Sequence, residues 1–135
     1  MKINNYNSNK VIPIGFTPQI YKYMTISELL LTKPGGLTTT EAATINIPII
    51  HTMPIPGCET YNAEFFGSHG MSISCKNTND IKNAVISLLT DKNKMENIIK
   101  AQKQNIDKNA CSKICEFIID EIRKYSKWKK IYNQM

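Results

Sequence analysis

No apolar run in the chain comes near the roughly 20 residues that a membrane-spanning helix requires, and the first residues hold no signal-peptide core. Cysteine is sparse and unpatterned. Cys58, Cys75, Cys111 and Cys115 make no paired CxxC spacing, so no zinc site is expected. Cys111 and Cys115 stand one helical turn apart, which suits a shared helix face. Reduced thiols in a cytoplasmic protein are the expectation. Acid is also in short supply. Eleven Asp and Glu face 17 Lys and Arg, giving a formal charge of +6 and a pI near 9.1. Such a balance favours an acidic partner: a nucleotide, an anionic lipid or a nucleic acid. No RNA- or DNA-binding motif accompanies the charge, so nucleic acid is not expected. No internal repeat is present. The 135 residues suffice for one domain with a modest core.

What is present centres on Leu29-Leu30-Leu31-Thr32-Lys33-Pro34-Gly35-Gly36-Leu37-Thr38-Thr39-Thr40-Glu41-Ala42. Leu29 to Leu31 reads as a short strand covered on both faces. Lys33 and Pro34 stop it. Gly35-Gly36 permits unusual backbone angles and close approach to the main chain. Thr38, Thr39 and Thr40 offer hydroxyl caps to a helix running to about Ile45. Free amides and the positive end of its dipole make an anion site. Glu41, a turn further in, suits ribose hydroxyls. Yet Gly-Gly is also an ordinary tight connection, and the stretch lacks the Gly-Lys-Ser/Thr of a P-loop and the full GxGxxG fingerprint. Spacing alone leaves both readings open.

The remaining chain alternates strands and helices. Strands are expected near 11–14, 29–32, 47–50 and 71–75, giving a parallel α/β sheet. A short helix covers Pro18 to Ile26, with Pro18 near its first position. His51 ends a strand, where a satisfied structural role outweighs acid-base chemistry. Pro54-Ile55-Pro56-Gly57 is a rigid loop leading into a helix through Phe66, closed by Gly67-Ser68-His69-Gly70. Thr78 or Asn79 caps the next helix, whose inner face is Ile81, Ala84, Val85, Leu88 and Leu89. Asp91 caps another, bearing Met95, Ile98, Ile99 and Gln102. The last runs from about Asn109 to Tyr125, with Ile114, Phe117, Ile118 and Ile122 facing in. Phe16 read alone is a core aromatic.

Lys33-Pro34-Gly35-Gly36-Leu37-Thr38-Thr39-Thr40-Glu41-Ala42, followed at family spacing by Pro54-Ile55-Pro56-Gly57-Cys58-Glu59 and Asn62-Ala63, resembles the C-terminal domain of glycosyltransferase family 28. The branch suggested is that of the processive diacylglycerol glucosyltransferases and monogalactosyldiacylglycerol synthases. The resemblance covers about Val11 to Cys75. It implies a Rossmann-like, partial donor-binding domain of a GT-B glycosyltransferase, and inverting transfer of a hexose from a UDP-sugar to a membrane lipid acceptor such as diacylglycerol. Phe16 and Thr17 would lie over the uracil. Gly35, Gly36, Leu37 and Thr38 would hold the diphosphate, Glu41 the ribose, and Cys58, Glu59 and Asn62 the sugar. Cys58 departs from the family, which has Gln there; a thiol cannot replace two amide hydrogen bonds.

The resemblance implies no cofactor and no metal, and places no catalytic residue in this chain, because the proposed base belongs to an N-terminal domain. The expected division is a leader over 1–10, a partial nucleotide-sugar-binding domain over 11–122, and a basic-aromatic tail over 123–135. The chain thus reads as the later part of a donor-binding domain. In the tail, Arg123, Lys124, Lys127, Lys129 and Lys130 interleave with Tyr125, Trp128, Ile131 and Tyr132. That pattern suits an anionic surface on the inner face of the cell membrane, or packing on a neighbouring domain. The alternative to an enzyme part is a non-catalytic remnant that binds a partner or forms a homodimer through an exposed sheet edge.

Overall fold

The computed structural model describes residues 10–132, and side-chain surroundings as far as Tyr125. Most of the leader expected over 1–10 lies outside the described residues, as do the side chains of Lys127, Trp128, Lys129 and Lys130. Nine elements follow in order: α1 (Ile20–Ile26), β1 (Leu30–Thr32), α2 (Gly36–Thr44), β2 (Ile49–His51), α3 (Cys58–Ser68), β3 (Ser72–Ser74), α4 (Thr78–Thr90), α5 (Lys92–Asn105) and α6 (Ala110–Tyr132).

The sheet is parallel and three-stranded, in the order β1-β2-β3. Parallel neighbours require crossovers, and α2 and α3 supply them. The middle strand is buried throughout, so it reads as an apolar run rather than an alternation. Successive side chains on β2 point to opposite faces, and each face has its own core. Ile49 joins Ala42, Ala43, Ile47, Phe66 and Met71. Ile50 joins Cys75, Ala84, Leu88 and Ile98.

Three expectations are corrected here. The fourth strand, at 11–14, does not form. Val11, Ile12 and Ile14 are exposed and lie outside the sheet. An apolar run becomes a strand only when a neighbour takes its hydrogen bonds, and Pro13 has no N–H to give. Asn77, not Thr78 or Asn79, caps α4: its side chain accepts from Asp80 N at 3.0 Å, while Asp80 Oδ2 accepts from Lys76 N at 3.0 Å. Finally, Ile114, Phe117, Ile118 and Ile122 do not face in. Every described side chain of α6 is exposed, because periodicity identifies an apolar stripe without saying what covers it. Leu89 on α4 is likewise half exposed.

Gln102 on α5 is fully buried. Its Nε2 donates to Ile47 O at 2.9 Å and to Met71 O at 3.1 Å, the carbonyls that lead into β2 and β3.

Candidate functional site

In an open parallel sheet the ligand side is the carboxyl end of the strands. Here three loops leave that end: 33–35 into α2, 52–57 into α3, and 75–77 into α4. The first is the double-glycine bend. Gly35 caps α2 with φ −72° and ψ 135°, and no side chain among the described residues caps this helix. The expected hydroxyl caps of Thr38, Thr39 and Thr40 are therefore absent. Thr39 turns inward instead, because positions 39, 42 and 43 share the buried face. Gly35 N is satisfied by Lys33 O at 2.8 Å, and Thr39 N by Gly35 O at 3.0 Å. Between them, the amides of Gly36, Leu37 and Thr38 are the first of the helix and have no partner within it. Gly36 and Leu37 are exposed, Leu37 to 83%.

Neither Gly35 nor Gly36 uses the dihedral freedom expected of it. Among the described glycines only Gly57 and Gly70 have positive φ. A Cβ on Gly35 would meet nothing within 4 Å, and one on Gly36 would meet only Asn62 Nδ2 at 3.6 Å. Nothing among the described residues requires these positions to be bare.

Helix α3 approaches the same bend. Asn62 Nδ2 donates to Pro34 O at 3.0 Å. This bond brings Asn62 together with Gly35, Gly36, Leu37 and Thr38. Gly57, at φ 114°, lets the loop turn into α3. Cys58 is exposed at the first position of that helix. Glu59 is engaged locally: its Oε2 accepts from Ile55 N at 2.6 Å, which fixes the Pro54–Gly57 loop.

Glu41 stands one helical turn beyond Leu37 and Thr38 in α2. It lines a cavity of about 410 Å³ between α1 and α2, with Pro18, Ile20, Tyr21, Met24, Thr40, Thr44 and Ile45. Phe16 and Thr17 immediately precede Pro18. Thr17 Oγ1 accepts from Gln19 N at 3.1 Å and so sets the start of α1. Phe16 is fully exposed, so the core-aromatic reading fails.

Beneath the bend lies a buried group that the sequence reading assigned only in part. His51 is fully buried between Thr39 Oγ1, 3.3 Å from Nε2, and Ser72 Oγ, 3.1 Å from Nδ1. The edge of Phe66 meets its ring at 5.9 Å. Both hydroxyls can donate or accept, so either neutral tautomer is satisfied. Burial lowers the His51 pKa to about 4. The satisfied structural role expected for this residue is the one found, and it ties the first turns of α2 to β2 and β3. The helical spacing of Thr39 with Ala42 and Ala43 carried the signal for its partner. Burial, and next the charge of Asp80, raises the Cys75 pKa.

A parallel sheet covered on both faces, with helix N-termini gathered beyond its strand ends, defines a Rossmann-like α/β domain. The sequence profile of the glycosyl transferases group 1 family matches residues 2–105, ending where α5 ends. The chain belongs to this glycosyltransferase family, and its fold is the GT-B type that the motifs implied. Among its relatives is the processive diacylglycerol beta-glucosyltransferase of Bacillus subtilis, 35% identical over 120 residues, 89% of this chain and 30% of the relative. That of Staphylococcus aureus strain JH9 is 32% identical over 134 residues, 98% of this chain and 34% of the relative. That of Bacillus pumilus is 34% identical over 108 residues, 80% and 28% respectively. The chain spans about a third of the length of these curated relatives. No solved structure matches.

Proposed function

We propose that this chain forms the donor side of an inverting glycosyltransferase that moves a hexose from UDP to a hydroxyl of a membrane lipid such as diacylglycerol. The observation that carries the reading is the uncapped, exposed start of α2, where Gly36, Leu37 and Thr38 leave three amides open beside two bare glycines. Three N–H groups at the positive end of a helix suit the diphosphate. Their attraction grows as charge collects on the departing UDP, which lowers the barrier to transfer. Glu41 accepts hydrogen bonds from the ribose at the mouth of the cleft between α1 and α2, with Phe16 and Thr17 over the base. Asn62, Glu59 and Cys58 orient the sugar from α3. No residue of this chain is assigned as the base that deprotonates the acceptor.

Calorimetric titration with UDP tests the reading. Glu41→Ala is expected to weaken UDP several-fold more than it weakens the deoxyuridine diphosphate. Amide shifts that leave Gly36, Leu37 and Thr38 untouched would sink it. A second reading has one observation of its own: among the described residues no strand pairs with the outer side of β1, and Leu31 there is 45% exposed. That edge suits a non-catalytic module that dimerises. Light scattering that finds a stable dimer, together with a protein indifferent to UDP, would favour it.

A further inference from the structure

A buried polar chain between α2, β2 and β3 anchors the first turn of α2 from below. His51 is the last residue of the middle strand, in register with Thr32 of β1 and Ser74 of β3, so its backbone is held from both sides. The edge of Phe66 seats its ring, with the two planes at 81°. From that fixed ring, Nε2 lies 3.3 Å from Thr39 Oγ1. Thr39 is where the hydrogen-bond ladder of α2 begins, since its N donates to Gly35 O at 3.0 Å. The open amides of Gly36, Leu37 and Thr38 sit within this one turn. Thr39 and His51 are both fully buried, and an apolar pair would serve stability as well. What a hydroxyl against a ring nitrogen adds is direction. A fully satisfied buried network fixes one arrangement where apolar packing admits several.

Resting on the nucleotide reading above, we propose that His51 is a positioning residue for the anion site, holding through Thr39 the turn that carries the Gly36, Leu37 and Thr38 amides. His51 touches no ligand in this arrangement. Ser72 Oγ, 3.1 Å from Nδ1, holds the ring from the other side. Thr39→Val keeps the size of the side chain and removes the hydroxyl. By calorimetry it should weaken UDP about fivefold, the worth of one hydrogen bond. It should also move the Gly36, Leu37 and Thr38 amide resonances of the nucleotide-free protein. Thr39→Ser keeps the hydroxyl and should restore both. Ser72→Ala should lose stability yet bind UDP as the parent does, because the Thr39 hydroxyl can pair with either neutral tautomer. Thr39→Val combined with His51→Leu leaves neither partner orphaned. Urea unfolding should therefore place this double variant nearer the parent than Thr39→Val alone, while its UDP affinity stays low.

Three results would overturn this role for His51 while the nucleotide reading stands. One is a Thr39→Val protein that binds UDP as tightly as the parent. Another is a Ser72→Ala protein weakened as much as Thr39→Val, which is a general loosening. The third is a double variant that regains affinity together with stability, the mark of a part in folding alone. A parent whose Gly36, Leu37 and Thr38 amides ignore UDP would instead remove the nucleotide reading, and the role of His51 with it.

Discussion

Asn62 and Pro34 lie 28 residues apart, yet Asn62 Nδ2 donates to Pro34 O at 3.0 Å and so ties α3 to the double-glycine bend. Asn62→Ala should lose that bond at a cost of about 1 kcal/mol, measured by urea unfolding. The bend would loosen and UDP binding should weaken with it. Asn62→Asp should bind UDP more weakly than Asn62→Ala, because it adds a negative charge where a diphosphate is to sit. Equal affinity for the two variants would place the diphosphate elsewhere.

Gly36 offers a test in which stability and binding move in opposite directions. Its added Cβ would meet only ordinary contact, 3.6 Å from Asn62 Nδ2. At the start of a helix, Gly36→Ala should leave the fold intact or stabilise it by up to about 1 kcal/mol. The same methyl group stands in the space claimed for phosphate oxygens, so UDP affinity should fall. A variant that melts higher and binds as before would show that the glycines are a plain connection.

His51 sets a pH dependence of stability. Folded, it stays neutral down to about pH 4; its ordinary value is 6.5. Between those values the unfolded chain holds the proton and the folded chain does not. Stability should therefore be full above the upper value and decline as pH falls towards the lower, by at most about 1.4 kcal/mol per pH unit. Denaturant midpoints across that range measure it. His51→Gln should be less stable at neutral pH and should flatten the slope.

Thiol labelling sorts the cysteines. Cys58, Cys111 and Cys115 are exposed and Cys75 is buried, with burial and Asp80 raising its pKa. Three thiols should react quickly and one only on unfolding. UDP-glucose should slow Cys58 and leave Cys111 and Cys115 unchanged, read by peptide mass. Equal slowing at all three would point to a general stiffening instead of occupancy beside Cys58.

Much of the fold was legible because its signals are local. The apolar run at Leu29–Leu31, the Gly-Gly bend and the repeat of Ala84 and Leu88 each declare an element without reference to the rest of the chain. What failed was pairing and partnership. Val11–Ile14 is apolar enough for a strand, but nothing among the described residues pairs with it. Thr38, Thr39 and Thr40 have the right chemistry for caps, yet α2 begins two residues earlier, and Thr39 is drawn inward by His51. Gly35 and Gly36 have the composition of a dihedral device, yet neither has a positive φ. The stripe of α6 was correctly spaced and wrongly placed, because a hydrophobic period gives a face and never its neighbour. At the candidate site, the motif order brought Asn62 to the bend as its positions suggested, while the local engagement of Glu59 with Ile55 had no sequence signature.

The two bonds that Gln102 makes to the carbonyls of Ile47 and Met71 bear on how the chain can be shortened. Those oxygens lie at the entries to two adjacent strands, and no other side-chain donor is described for either. An expression fragment that stops before α5 would strip both of their donor and open the Ile49 side of the core to water. Trimming from the carboxyl terminus is safe only as far as about residue 106, whose side chain still packs against that core.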